Sequence, residues 1–227
     1  MTRPRIIFNA DDFGASTGVN RGIVECHRHG VLTSTSMMVT GASVEEAVAL
    51  SDENPELAIG LHWDVIGEDE REFDMGDERA IRDEFEQQLD RFVALLGRAP
   101  THVDSHRHLH RQAFELFEEL VEPLGVPLRE DGQVAFVGDF YAQWEWGVTD
   151  LAHVSVPALQ RLLREKAGAG WTEFSCHPGY RSPDYSAMYL VEREAEIETL
   201  TDPRIPETIS ELGLELCSFA DHARAAA

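Results

Sequence analysis

Apolar residues along this chain come in two rhythms, short unbroken runs and longer stripes at helical spacing. Short apolar runs bounded by turn residues predict buried β-strands, and they fall at residues 5–10, 34–40, 57–63, 101–105, 126–129, 171–176 and 214–219. Between them, amphipathic stretches predict helices over 18–29, 43–53, 78–97, 110–123, 156–169 and 187–201. The clearest stripe sets Phe85, Leu89, Phe92, Val93 and Leu96 on one helical face. Gly97 and Pro100 close that helix, as Gly30 stops an earlier one.

A regular βα alternation predicts a parallel sheet with helical crossovers. Seven strands within 227 residues suit an α/β fold of the small or distorted (β/α) barrel type, with an open doubly wound sheet as the rival. Residues 64–78, rich in acid and glycine, and 130–155, carrying Tyr141, Trp144 and Trp146, break the rhythm and read as loops above strand ends. There is no repeat, low-complexity tract or linker, so a single domain over residues 1–227 is expected.

Composition adds environment more than chemistry. The hydrophobic content of 43% is that of an ordinary globular protein. No stretch approaches the roughly 18–20 apolar residues of a membrane span, and the first apolar run lacks a cleavage pattern, so a cytoplasmic protein is expected. Cys26, Cys176 and Cys217 have no paired spacing and read as buried thiols. The net charge of −23, with Lys166 the only lysine among 19 basic residues, disfavours nucleic acid and anionic membranes as partners. The same excess of carboxylates matches proteins of a salt-loaded cytoplasm, where self-repulsion is screened, and a halophilic origin is expected.

Groups able to do chemistry gather where the predicted strands end. Asp11 and Asp12 follow the first strand in Phe8-Asn9-Ala10-Asp11-Asp12-Phe13-Gly14, and His62 follows the third in Gly60-Leu61-His62. His106 follows the fourth in His102-Val103-Asp104-Ser105-His106-Arg107-His108-Leu109-His110, Arg129 ends the fifth, and His177 follows the sixth. Strand C-termini are where barrels assemble active sites from distant segments. Each motif alone has a plainer reading: Asp-Asp as a turn or helix cap, His108 and His110 as a shared strand-end face, Cys176-His177-Pro178-Gly179 as a strand and turn. Their common placement is what favours a site.

One carboxylate with two imidazoles suits Zn²⁺ or another first-row divalent ion, whereas Mg²⁺ prefers more oxygen donors. A second carboxylate beside such an ion can take a proton from water, and a separate histidine can protonate a leaving amine. Asp11, Asp12 and His177 supply those extra groups, and Asp104 is placed to orient a ligand histidine from behind, with His102 as a further candidate. Consecutive strand residues point to opposite faces. Asp11 and Asp12 therefore reach one site only if the strand bends there, as Phe13-Gly14 predicts.

With these residues in view, the chain resembles the YdjC-like carbohydrate deacetylase family. The resemblance runs nearly end to end, through residues 9–14, 18–23, 32–39, 59–62, 100–106 and 176–180, and Tyr189, Arg193 and Glu196 are similar to a late Tyr-x-x-x-Arg-x-x-Glu pattern. It implies a distorted (β/α) barrel related to the polysaccharide deacetylases. It also implies that Asp12, His62 and His106 hold a divalent metal, Mg²⁺ by family custom, with Asp11 as general base and His177 as the acid. The implied reaction is hydrolysis of an N-acetyl group on an amino sugar or oligosaccharide, and a homodimer is expected by the same analogy. The segment after His62 is short for the family and runs on as Trp63-Asp64; it is expected to roof the substrate site. Arg129 and Trp63 are expected to contact substrate, with Trp63, Trp144 and Trp146 offering faces for sugar stacking. The alternatives are a metal hydrolase of another amide or phosphoester, and a non-catalytic barrel that binds sugar or metal.

Overall fold

The computed structural model describes residues 3–67 and 71–226. Its centre is β1 (Arg5–Phe13), buried along nearly its whole length. On one side lie β2 (Ser34–Met37), β3 (Ala58–Trp63) and β4 (Val103–Ser105); on the other lie β6 (Trp171–Cys176) and β5 (Ala135–Val137), in the order β4-β3-β2-β1-β6-β5. Every pairing is parallel. β7 (Glu215–Cys217) pairs with residues 5–7 of β1, below the point where β2 takes over at Asn9. A single bridge from Val103 to Leu128 extends the far edge. The sheet curls into a half-barrel with helices outside it.

Seven helices cross over between strands, α1 (Thr17–His29), α2 (Val44–Glu53), α3 (Glu78–Leu96), α4 (Phe114–Val121), α5 (Val156–Lys166), α6 (Val191–Leu200) and α7 (Arg204–Glu211), and α8 (Phe219–Ala226) follows β7 among the described residues. Local chemistry starts and stops them as expected. The Ser16 hydroxyl accepts the Val19 N–H at the start of α1, the Asp77 carboxylate accepts two N–H groups at the start of α3, and Gly97 ends α3 at φ 66°. Among the described residues, no helix is long and apolar enough to cross a membrane.

Several boundaries depart from the sequence reading. The run at 126–129 contributes only the Leu128 bridge, and the strand on the opposite edge is β5, inside the predicted 130–155 loop. Of its three residues only Val137 is buried, so it carries no apolar run to read. The helix expected from 110 starts at Phe114, because a 3₁₀ segment (His106–Ala113) with Arg107 and His108 in left-handed conformations precedes it. α7 and α8 were not anticipated. Residues 68–70 of the predicted 64–78 loop lie outside the described residues.

Candidate active site

The two adjacent aspartates are brought together by a flaw in β1. Its register against β2 shifts between Ala10 and Phe13, and Asp12 sits at φ 73°. A bulge of this kind re-aims a side chain at a strand end. Asp11 and Asp12 both line one cavity of about 680 Å³, together with His62, His106 and His177. Gly14, at φ 99°, completes the turn; a Cβ there would lie 2.8 Å from the Met38 carbonyl oxygen.

Asp12, His62 and His106 form a buried donor group whose ligand atoms lie within 4.8 Å of one another. Asp12 Oδ1 is 3.3 Å from His62 Nε2 and 3.3 Å from His106 Nδ1. Its other oxygen accepts from Arg193 Nη2 at 2.5 Å, so Oδ1 is the one turned to the histidines. His62 Nδ1 donates to Asp104 Oδ1 at 2.6 Å, which leaves Nε2, buried and without a hydrogen-bond partner, as the nitrogen turned to Asp12. A carboxylate behind a ligand imidazole is the usual arrangement around a bound metal. The residues present fit a divalent ion.

Burial alone would raise the Asp12 carboxyl, but Arg193 and the hydrogen bond from His106 hold it well below the usual range. His62 is pulled the other way: burial lowers it, and the Asp104 carboxylate raises it well above an ordinary imidazole.

A second network lies beneath. Arg129 grips Asp11 with two hydrogen bonds of 2.8 Å, reaches Glu173 Oε1 at 2.6 Å and lies 2.8 Å from Asp104 Oδ2. Asn9 Nδ2 bridges Asp11 and Asp104. Burial raises the Asp11 carboxyl, and the Arg129 guanidinium more than offsets this, leaving it lowered. Glu173 is pushed up to about 7 by burial despite the same guanidinium. His177 Nε2 stands 3.7 Å from Asp11 Oδ2, and burial lowers its imidazole to about 4.

Tyr189, Arg193 and Glu196 frame the site, although sequence reasoning gave them no role. Glu196 accepts the His177 backbone N–H at 2.5 Å and the Tyr189 O–H at 2.6 Å. Arg193 donates to the His177 carbonyl at 3.2 Å while holding Asp12. Arg193 and Glu196, three residues apart, share one side of α6, a signal available from helical periodicity, and Tyr189 lies just before that helix.

Asp11, Asp12, His62, His106, His177 and Asp104 are thus assembled together. Two expectations are corrected. Arg129 does not face substrate: its side chain is 1% exposed and is occupied by three carboxylates. Trp63 offers no stacking face: it is fully buried, edge-on to Phe73 and Phe117. Trp146 does line the cavity, whereas Trp144 stacks on His153, and no described residue of the 64–78 loop lines it. His102 lies under the site, stacked on Phe219, with Nε2 4.0 Å from Asp104. Its ring occupies the space a Cβ on Gly60 would take, 2.4 Å from Cε1.

The curled parallel sheet with this site at its strand ends places the molecule among carbohydrate-esterase-like folds. It superposes on a family 4 carbohydrate esterase from Streptomyces lividans in complex with acetate with a TM-score of 0.55 at 14% identity, covering 94% of this chain and 91% of that one. The TM-score is 0.85 at 24% identity for a proposed cellobiose-phosphate cleavage protein from Enterococcus faecalis V583, covering 97% and 99% of the two chains. The sequence matches the family model described as YdjC-like protein over residues 5–211, and the chain belongs to that family. It is 34% identical to a chitooligosaccharide deacetylase from Serratia marcescens over 95% of this chain and 98% of the relative. It is 31% identical to a carbohydrate deacetylase from Clostridium beijerinckii over 96% and 99%. The Serratia match runs over 248 positions against the 227 residues of this chain, so that relative carries residues this chain lacks.

Proposed function

We propose that this protein is a metal-dependent hydrolase that removes N-acetyl groups from an amino sugar or oligosaccharide, releasing acetate. The observation that carries this reading is the Asp12, His62 and His106 donor group opening on a cavity that also holds Asp11 and His177. Relatives named as deacetylases over nearly the full chain support it. When bound, a divalent ion polarises the acetamide carbonyl and makes a nearby water more acidic. Two nitrogen donors to one oxygen favour Zn²⁺, while the family resemblance favours Mg²⁺.

The remaining work falls to the protein's own groups. Asp11 carries a lowered carboxyl and is a weak base at rest, held in one orientation by Arg129. It accepts the proton of the attacking water. His177 is neutral at pH 7, since burial lowers it to about 4, so it must gain a proton before it can protonate the leaving amine. The 3.7 Å separation of Asp11 Oδ2 and His177 Nε2 gives that proton a short route from base to acid. Arg193 and Glu196 fix Asp12 and the His177 backbone in register. The guanidinium groups lining the cavity are Arg107 and Arg193, and Arg193 is engaged by Asp12. This favours a neutral amide over a phosphoester.

A cytoplasmic location is part of this proposal, and the net charge of −23 supports a halophilic setting, in which salt screens the surface. The test is acetate release from N,N′-diacetylchitobiose and a panel of N-acetyl sugars in high salt, with chelator and with added Mg²⁺ or Zn²⁺. Metal-dependent acetate is expected; no release by a protein that still binds one ion would remove the deacetylase reading and keep the site.

A further inference from the structure

A second donor cluster adjoins the same cavity through His108. His108, His110 and Glu130 each bring one ligand atom within 4.8 Å of the others. His110 is fully buried, and His108 lines the cavity. Ser105 fixes the His110 ring: its Oγ lies 2.7 Å from Nδ1 and accepts the His110 backbone N–H at 2.9 Å. That leaves Nε2 aimed at Glu130, with Oε2 3.4 Å away. The approach is not a hydrogen bond. His110 Nε2 is buried without a hydrogen-bond partner, and so is His108 Nδ1. Polar atoms buried in this way are rare in native structures and ask for a missing partner.

The backbone points to the same place. Among the described residues, the non-glycine positions with positive φ are Asp12, Arg107, His108 and Glu130. Asp12 belongs to the first donor group, His108 and Glu130 to the second, and Arg107 to the turn between His106 and His108. Side chains bearing a Cβ are held in this region where the surroundings over-determine them, commonly at ligand sites. Arg111 donates to both Glu130 oxygens, at 2.6 and 3.0 Å, which orients the carboxylate and leaves each oxygen a further acceptor position.

We propose that His108, His110 and Glu130 form a second divalent-metal site, separate from the Asp12, His62 and His106 group and taking a first-row ion of the zinc class. Two imidazole nitrogens and one carboxylate oxygen are the donors such ions take, with water completing the shell. The nearby Arg111 charge opposes the ion, so this site binds more weakly than the first. Its occupant ties the left-handed turn that carries His106 to the segment after Leu128, and so fixes one wall of the cavity.

The test counts ions. Metal-free protein is equilibrated with Zn²⁺ or Co²⁺ and bound metal is measured by elemental analysis, with the cobalt absorption spectrum recorded in parallel. Wild type is expected to hold two ions per chain, His108→Asn and Glu130→Gln one each, Asp12→Asn one, and the Asp12→Asn/Glu130→Gln double variant none. Asparagine tolerates the left-handed backbone of position 108, and Glu130 is partly exposed, so both single variants are suited to keep the fold, which circular dichroism checks. A single ion in wild type overturns the proposal. So do two ions retained by natively folded His108→Asn and Glu130→Gln. A single ion that is lost in Asp12→Asn would leave the deacetylase reading standing without the second site.

Discussion

Arg129→Met removes the guanidinium that Asp11, Asp104 and Glu173 share inside the half-barrel. The Arg129 side chain is 1% exposed and its partners are 5%, 0% and 1% exposed, so water cannot take its place. Removing one member of a buried ion pair costs about 3–5 kcal/mol, because the remaining charge is left uncompensated. The cost does not triple here. Glu173, already pushed up to about 7, protonates first, and Asp104 keeps its hydrogen bond from His62. A loss of about 3–5 kcal/mol lowers the melting temperature by roughly 6–20 °C for a chain of this size. Thermal and urea unfolding at pH 7.5 would measure it. Adding Glu173→Met should recover about 1–3 kcal/mol, the coupling expected of groups in one network.

The pH dependence has a definite sign. In wild type the lowered Asp11 and Asp104 carboxyls contribute stability above the unfolded value of 3.8, and that stability is lost as pH falls through their folded values. In the variant the same carboxyls, without their cation, titrate above that value and are relieved by protonation. The gap between the two proteins should therefore narrow as pH is lowered towards 4. A loss below about 1 kcal/mol, or strict additivity with Glu173→Met, would refute the view that Arg129 balances this cluster.

Four further outcomes are expected. Asp104→Asn should weaken divalent-ion affinity by roughly 10–100-fold, measured by calorimetric titration, because it releases the His62 ring. Asp11→Asn should retain the ion while acetate release falls by about 10²–10⁴-fold. Glu196 is raised to about 8 by burial, so its stability contribution is complete below the unfolded value of 4.5 and is lost as pH rises through about 8. Relative to Glu196→Gln, wild type should lose up to about 1.4 kcal/mol per pH unit across that window, read from denaturation midpoints. Raising KCl from 0.1 to 2 M should raise the melting temperature of wild type, since a net charge of −23 repels itself at low salt; no shift would mean that surface repulsion is not limiting.

The sequence revealed what rests on apolar runs and strand ends. β6 was read to the residue, and the donors Asp12, His62 and His106 were each placed at the end of a strand or just after it. Trp63 misled because β3 is buried on both faces, where parallel strands show no in-out alternation to tell core from cavity. Arg129 misled in a related way: a cation at a strand end reads as solvent-facing until three carboxylates from distant segments are seen to meet it. Position alone could not separate Asp11 from Asp12 either. Their roles diverge because Arg129 holds the first and Arg193 the second, and those arginines lie 118 and 181 residues away in sequence.

The seam of the half-barrel has a consequence for evolution. Among the described residues, the edge at Leu128 and the edge at β5 share no backbone pairing, and Arg129 instead lies over the Phe136 ring of β5 and reaches Glu173 of β6. A fully laddered barrel fixes the width of its mouth by strand number and stagger. Here the opening is set by side chains, and the 138–150 segment after β5, which borders it, can lengthen or shorten without a strand changing register. The cavity can thus be resized for a new substrate while Asp11, Asp12, His62 and His177 stay at the ends of β1, β3 and β6.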